Sequence, residues 1–421
     1  MIVSGLSGNE IWCLKQHGFD PGEIVVGNSV VSLGVMGGLG AFGRGLTGGE
    51  VTAVTSLISE GRHAAISRME AEAKKVGAEG VGGVTSELRS LASYTEFLAQ
   101  GTAVHGGPFK DRFFSCASSG MQLYCHLDAG YQPLHFSMGN VAYALGLGRG
   151  LTGSLRTLAR GEVVEFSQMY NHIRHLALKR LRKEAAASGA NAVVDIQTRI
   201  LPHGAGSIEL LMTGTAAYHP GFSSGPVEPD AVRTSELTGE ELWNMASLGY
   251  VPVQLVMATS VYALGVVGGI GAMFKSISRG EIPELTSLIY GARENCLQIL
   301  AAEATKVGGE MVVGNRLNIR ELSPGLIEVV AIGTAVKKAQ GFAPRLPQLP
   351  PQAIIVDRMS EDLDSIQRSD PSQLSTTVGN LQRVRAGGNA AGSLIAIGCA
   401  LFWVFGSMCI GILTMLFKQG S

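Results

Sequence analysis

Two groups of residues in this chain have the types and spacing for chemistry: glycines able to cradle a phosphate, and a few histidines and cysteines able to hold a metal. From Ser32 to Val51 the sequence reads SLGVMGGLGAFGRGLTGGEV, in which Gly38, Gly40 and Gly43 satisfy G-x-G-x-x-G after a strand-like run, EIVVGNSVV. Backbone amides in such a loop bind a pyrophosphate when a helix follows directly and an acidic residue further on holds the ribose. His172 and His175 lie three apart on a helical stretch and could share a face with an ion; Cys116, Cys125 and His126 would add thiolates and an imidazole. A borderline metal needs three or four such ligands to converge. For covalent or acid–base catalysis the chain offers less. No serine or cysteine stands in a nucleophile elbow, and no carboxylate pair recurs.

Internal repetition tests each of these. GNEIWCLKQHGFDP (8–21), GMQLYCHLDAGYQP (120–133) and GEELWNMASLGYVP (239–252) share an aromatic residue four positions after the first glycine and a closing Gly-aromatic-x-Pro, read as a turn. The runs that follow end at Gly34, Gly146 and Gly265, which are 112 and 119 positions apart, and Gly77, Gly189 and Gly308 keep the same spacing. Each unit closes on Gly-Thr-Ala, at Gly101, Gly214 and Gly333. A period this long means tandem domains rather than solenoid repeats.

The phosphate motif does not survive the comparison. In the second unit it falls out of register, at Gly148, Gly150 and Gly153, and in the third Phe274 replaces the last glycine. No unit carries the Gly-Lys-Ser/Thr ending of a P-loop, so the glycines read as a connector between strand and helix. The metal set fares the same way. His172 and His175 correspond to Glu60 and His63 in the first unit and to Gly291 and Glu294 in the third, and Cys125 corresponds to Cys13 and Asn244. These are ordinary surface or core residues on this reading, and no cofactor is expected.

What recurs at fixed offsets is Arg62, Arg174 and Arg293, with Glu50, Glu162 and Glu281 near the helix starts. The glutamates suit the positive end of a helix dipole. The arginines read as inter-domain ion pairs or carbonyl clamps, with a contact to a bound anion or small ligand as the alternative. Trp12, Tyr124 and Trp243 recur as packing anchors for the first short helix.

The elements that must position these residues follow from periodicity. Val54, Leu57, Ile58, Ala65, Met69 and Ala73 recur near every 3.6 residues and predict an amphipathic helix over about Glu50 to Val76, with Gly77 as its C′ residue. The second and third units repeat it, with Pro283 in a first turn. Two strands come next, such as EMVVGNRLNI and LIEVVAIGTAVKK, joined through Ser323, Pro324 and Gly325. The fold class is therefore α+β, each unit a small antiparallel sheet with one long helix across it.

Composition narrows the function. With 33 basic and 34 acidic side chains among 421 residues, the chain has no basic excess to meet nucleic-acid phosphates. Six cysteines without pairing rhythm indicate a reducing compartment, and no secretory leader is expected. Residues 339–390, with Pro344, Pro347, Pro350 and Pro351, read as a linker. Beyond it, residues 391–417 are uncharged and long enough to span a bilayer as a helix, through Leu394, Ile397, Leu401, Trp403, Phe405, Ile410, Leu413 and Leu416. So late a span predicts a tail-anchored membrane protein with its body in the cytoplasm.

GNSVVSLG at Gly27 to Gly34, the mid-helix Arg62, KKVGAEGVGGV at Lys74 to Val84 and FLAQGTAV at Phe97 to Val104 resemble the YbjQ-like family, labelled heavy-metal-binding. The resemblance covers three copies, at 1–108, 109–225 and 226–338. It implies dodecin-type α+β domains and homo-oligomers with five-fold or pseudo-symmetric ring geometry. Together these readings predict a non-enzymatic, membrane-anchored scaffold that assembles into a ring or shell. The alternative is a sensor that binds a metal or small ligand in crevices between domains.

Overall fold

Apolar alternation followed by a 3.6-residue period builds the same unit three times, and the computed structural model describes residues 1–32, 49–91, 94–109, 112–144, 161–202, 207–225, 227–264, 283–323 and 326–354. The first unit runs through α1 (Gly8–Gln16), β1 (Phe19–Ser32), β2 (Gly49–Glu50), α2 (Thr52–Lys75), β3 (Gly80–Leu91) and β4 (Tyr94–Gly106). The second comprises β5 (Phe114–Ser115), α3 (Gly120–Asp128), β6 (Gln132–Ala144), β7 (Gly161–Glu162), α4 (Val164–Ala187), β8 (Ala192–Pro202) and β9 (Ser207–Tyr218). The third comprises β10 (Arg233–Thr234), α5 (Gly239–Ser247), β11 (Tyr250–Ala263), α6 (Pro283–Lys306), β12 (Met311–Ser323) and β13 (Leu326–Lys338), followed by a short α7 (Pro351–Ile354). The glycine-rich stretches, with Gly38, Gly40, Gly43, Gly148, Gly150, Gly153 and Phe274, lie outside the described residues.

In every unit the last strand sits in the middle of the sheet, antiparallel to both long neighbours, in the orders β1-β4-β3, β6-β9-β8 and β11-β13-β12. The two-residue strands are lent between units. β2 of the first unit extends the second sheet through β6, and β7 of the second extends the third through β11. In the other direction β5 pairs in parallel with β3, and β10 with β8. The middle sheet is thus stitched to its neighbours at both edges and the outer two at one edge each, which leaves fewer backbone groups unpaired.

The long helices lie directly on the strand backbone. A Cβ built at Gly139 would stand 2.1 Å from the carbonyl oxygen of Ala177, and one at Gly27 would stand 2.1 Å from that of Ala65. Each helix stops at a left-handed glycine, Gly77, Gly189 or Gly308, with φ of 73°, 83° and 77°. The amide after it reaches back to Ala73, Ala185 or Ala304, closing the last turn. The short first helices are held by capping boxes, Ser7 with Glu10, Ser119 with Gln122 and Thr238 with Glu241.

Two local expectations change. Only the glycine of the Gly-aromatic-x-Pro segment lies in a turn: Phe19 and Pro21 already lie in β1, and the proline stands beside an irregularity in the ladder, where a missing amide donor costs little. Glu50 is not in the first turn of a helix, because Gly49–Glu50 is drawn into the neighbouring sheet and α2 starts two residues later. After β13 the chain turns back: the Arg345 and Leu346 amides donate to the Asp128 carbonyl and carboxylate, and Leu349 and Ala353 are buried with Cys13, Tyr124 and Trp243.

The tail-anchored, membrane-bound placement is corrected. Among the described residues no helix is long and apolar enough to cross a membrane. The helices α2, α4 and α6 have the length, at 24 residues each, but carry charge along one side, as Arg68, Glu72 and Lys75 do on α2. The segment 391–417, with Leu394, Ile397, Leu401, Trp403, Phe405, Ile410, Leu413 and Leu416, lies outside the described residues.

Candidate functional site

The first two long helices, α2 and α4, each have two apolar sides that bury against different sheets, whereas α6 packs on the sheet of its own unit. In α2, Val54, Ile58, Ala65 and Met69 belong to a core that includes Val25, Phe97 and Ala99 of its own unit together with Phe136, Met138, Ala142 and Leu211 of the next. In α4, Tyr170, Ile173, Ala177 and Leu178 are continuous with Leu255, Met257 and Val261 of the third unit. A helix sandwiched between two sheets joins consecutive units through an interior-like contact.

The recurrent arginines sit in the middle of these joints. Arg62 is wholly buried, and its Nε and Nη2 donate to the two carboxylate oxygens of Glu209 on β9, at 3.2 and 2.8 Å. Its Nη1 donates to the Ser86 carbonyl and hydroxyl, and Asn140 Nδ2 donates to Glu209 and to the Thr55 carbonyl. The second joint repeats the plan: Arg174 Nη2 donates to Glu328 Oε1 at 2.7 Å, Nη1 donates to the Thr259 hydroxyl, and Arg320 holds the other oxygen of Glu328. A planar guanidinium matched to a carboxylate is what a buried ion pair needs to offset its desolvation; the Arg62 donors named above all have partners, whereas Arg174 Nε is buried without one.

Backbone and histidine contacts frame the arginine. Val51 and Val163 donate their amides to the Ala142 and Val261 carbonyls, and the same two residues donate back to the Thr55 and Ser167 hydroxyls. At the rim, His63 meets Glu184 at 3.2 Å, His135 meets the same carboxylate at 3.0 Å, and His175 meets Glu303. The hydrogen bond to Glu184 holds His63 above the usual imidazole range, and Glu303 does the same for His175. For Glu184, burial pushes upward but is outweighed by the hydrogen bonds from His135 and His63, so its carboxyl stays below the usual range.

A raised imidazole pKa means stabilisation that is complete in mild acid, below the ordinary value of 6.5, and is lost as pH rises through the higher folded value. The Glu184 contribution fades only in stronger acid. Because both imidazoles are nearly half exposed, each pair contributes about 0.2–1 kcal/mol. Urea titrations at about pH 6 and about pH 8 should show the wild type losing more stability with rising pH than the His63→Ala/His175→Ala double variant. Parallel pH profiles would show that these pairs do not contribute.

Arg62 and Arg174 therefore meet carboxylates of the following unit, while Arg293 lies exposed on α6. Glu50 pairs with Arg180 of the next unit at 2.8 Å, Glu162 accepts from Asn295 Nδ2 at 3.2 Å, and Glu281 lies outside the described residues. Sequence reasoning missed the partner carboxylates. The signal was present: Glu96, Glu209 and Glu328 each stand five positions before the closing Gly-Thr-Ala glycine.

The metal-ligating types do not converge. Among the described residues no group of three or more His, Cys, Asp or Glu side chains is arranged to hold a metal. Burial pushes Cys13 and Cys296 up to about 11 and Cys116 up to about 12, so without a metal these sulfurs are protonated thiols. Burial likewise lowers His126 to about 3, and its Nδ1 lies 3.2 Å from the Ser118 hydroxyl. His172 and His175 are both at the surface.

Three sheet-plus-helix units joined by buried arginine–glutamate pairs define a tandem α+β repeat protein. The chain belongs to the YbjQ_1 family, described as "Putative heavy-metal-binding", which matches residues 20–106, 131–219 and 247–339. The residues just described do not fit the metal in that description. The chain is 32% identical over 233 residues to the encapsulin nanocompartment protein Rv1762c of Mycobacterium tuberculosis, covering 52% of this chain and 87% of that one. It is also 42% identical to a UPF0145 protein of Methanoregula boonei, over 20% of this chain and 71% of that protein. A UPF0145 protein of Pseudothermotoga lettingae is 43% identical over 25% of this chain and 92% of its own length.

Proposed function

We propose that this protein is a non-enzymatic structural subunit that assembles with copies of itself into a ring or shell. The observation that carries the reading is the polarity of the joints. Each covers the helix of one unit with the sheet of the next, and such a heterologous contact leaves an unused sheet face at one end of the array and an unused helix face at the other. The face of β1 in the first unit is bare: Ile24, Val26 and Val30 are 45%, 43% and 53% exposed, whereas Phe136, Met138 and Ala142 at the same positions of β6 are 1–3% exposed. The relative named as an encapsulin nanocompartment protein supports a shell role.

Arg62 and Arg174, with Glu50 and Glu162 in the same joints, lock the units within a chain, and Arg293 at the matching position of α6 is the lock between chains in this proposal. Ring geometry, five-fold or pseudo-symmetric, belongs to the same proposal. Native mass spectrometry and electron microscopy of the purified full-length chain test it: closed particles of many chains are expected, and a dispersed monomer at high concentration would overturn the reading.

A further inference from the structure

Resting on that reading, we infer that two copies of this chain join head to tail, Arg293 on α6 of one entering the groove beside Glu96 on β4 of the other, and that this joint is acid-favoured because Glu294 meets Glu72 there. The correspondence is position by position. Arg293 repeats Arg62 and Arg174, while Glu96 repeats Glu209 and Glu328. Glu96 is half-buried and accepts from Asn28 Nδ2 at 3.3 Å, as Glu209 accepts from Asn140 at the equivalent place. Arg89 stands opposite Glu96 on β3, as Arg320 stands opposite Glu328 on β12. The bare β1 face beside it matches the two faces covered inside the chain, and on α6 both Arg293 and Tyr290 are exposed. The occupant that completes both ends is therefore another copy.

One pair differs. Inside the chain the rim carries His63 against Glu184 and His175 against Glu303. The residue at the histidine position of the third unit is Glu294, and the carboxylate it would meet is Glu72, which accepts the Val26 amide just as Glu303 accepts that of Met257. The charged groups facing this spot are Glu72 and Arg68 on α2, exposed Glu23 on β1 at the position of His135, Glu96 on β4 and Arg89 on β3, against Arg293 and Glu294 on α6. Arg68 is engaged with the Asn28 carbonyl. Glu294 thus stands where both internal joints hold an imidazole and Glu23 where the first holds His135 and the second Gln254, so that three carboxylates meet around Glu72, and like charges at that range weaken the contact until one is protonated.

Sedimentation velocity of the full chain across about pH 5.5 to 8 tests the joint. Association should be stronger in acid. Arg293→Glu or Glu96→Arg alone should weaken it by about a hundred-fold, the loss expected from leaving one charge of a buried pair unmatched. An equimolar mixture of the two variants should recover it, because each supplies the complement that the other needs; this recovery also shows that both fold. Glu294→His should strengthen association about ten-fold near pH 6 and reduce its acid preference. Assembly indifferent to both single substitutions would overturn the joint while leaving the shell reading in place. A wild-type chain that stays monomeric at every pH would overturn both. Association that depends on Arg293 and Glu96 but is unmoved by pH and by Glu294→His would overturn the acid preference.

Discussion

Glu209→Ala is expected to destabilise the first joint by about 3–5 kcal/mol, because it leaves the Arg62 guanidinium fully buried without its counter-charge. Ser86 and the ring face of Phe97 remain near Arg62, but neither carries a charge to neutralise it. Urea unfolding followed by circular dichroism should show an early transition absent from the wild type. The diagnostic companion is Arg62→Met/Glu209→Leu, which removes both charges and keeps the volume; it should recover most of the loss, since a buried ion pair contributes little net stability over well-packed apolar residues. A double variant as unstable as the single one would show that the hydrogen bonds of this pair, including that from Asn140, matter more than the unmatched charge. The equivalent Glu328→Ala should be at least as damaging, because it strands Arg174 and Arg320 together.

Gly139→Val is the second large effect. The added Cβ would overlap the Ala177 carbonyl and the Leu181 amide nitrogen, at 2.1 and 2.6 Å, and both are helix backbone that cannot rotate aside. Separating α4 from β6 opens the second core, so the cost should exceed the roughly 1–3 kcal/mol usual for overpacking. Gly225→Val is the control, since a Cβ there meets nothing within 4 Å. Thermal melts should separate the two by many degrees. Equal melting temperatures would mean that helix and strand can part without loss.

Much of the fold was legible because it is written three times. Helix limits near Gly77, Gly189 and Gly308 and the paired strands before Gly101, Gly214 and Gly333 stand out once the copies are aligned, since local propensity and the left-handed stop act within one unit. The joints were half legible. Arg62 and Arg174 drew notice as charges at constant offsets on otherwise apolar helix faces, but Glu209 and Glu328 look like ordinary solvent-facing residues of an alternating strand. Only stacking the preceding unit's helix over that face turns them into buried partners. Glu50 misled for a similar reason: its fit to a helix dipole is a local argument, and the strand pairing that claims it is made with another unit. Trp12, Tyr124 and Trp243 recur as one type of anchor, yet Tyr124 and Trp243 are buried under neighbouring short helices while Trp12 is 38% exposed.

The fusion of three units by lent strands has a consequence for how variation can act. In an oligomer of identical single domains, every change alters all contacts at once, so no one contact can be tuned alone. Here two contacts are covalently enforced at fixed stoichiometry and in fixed order, and under the proposed joint each chain would keep a valence of one plug and one socket. If chains join as proposed, sequence drift at the Glu294 position would be free to set how readily they polymerise without loosening the body of the subunit.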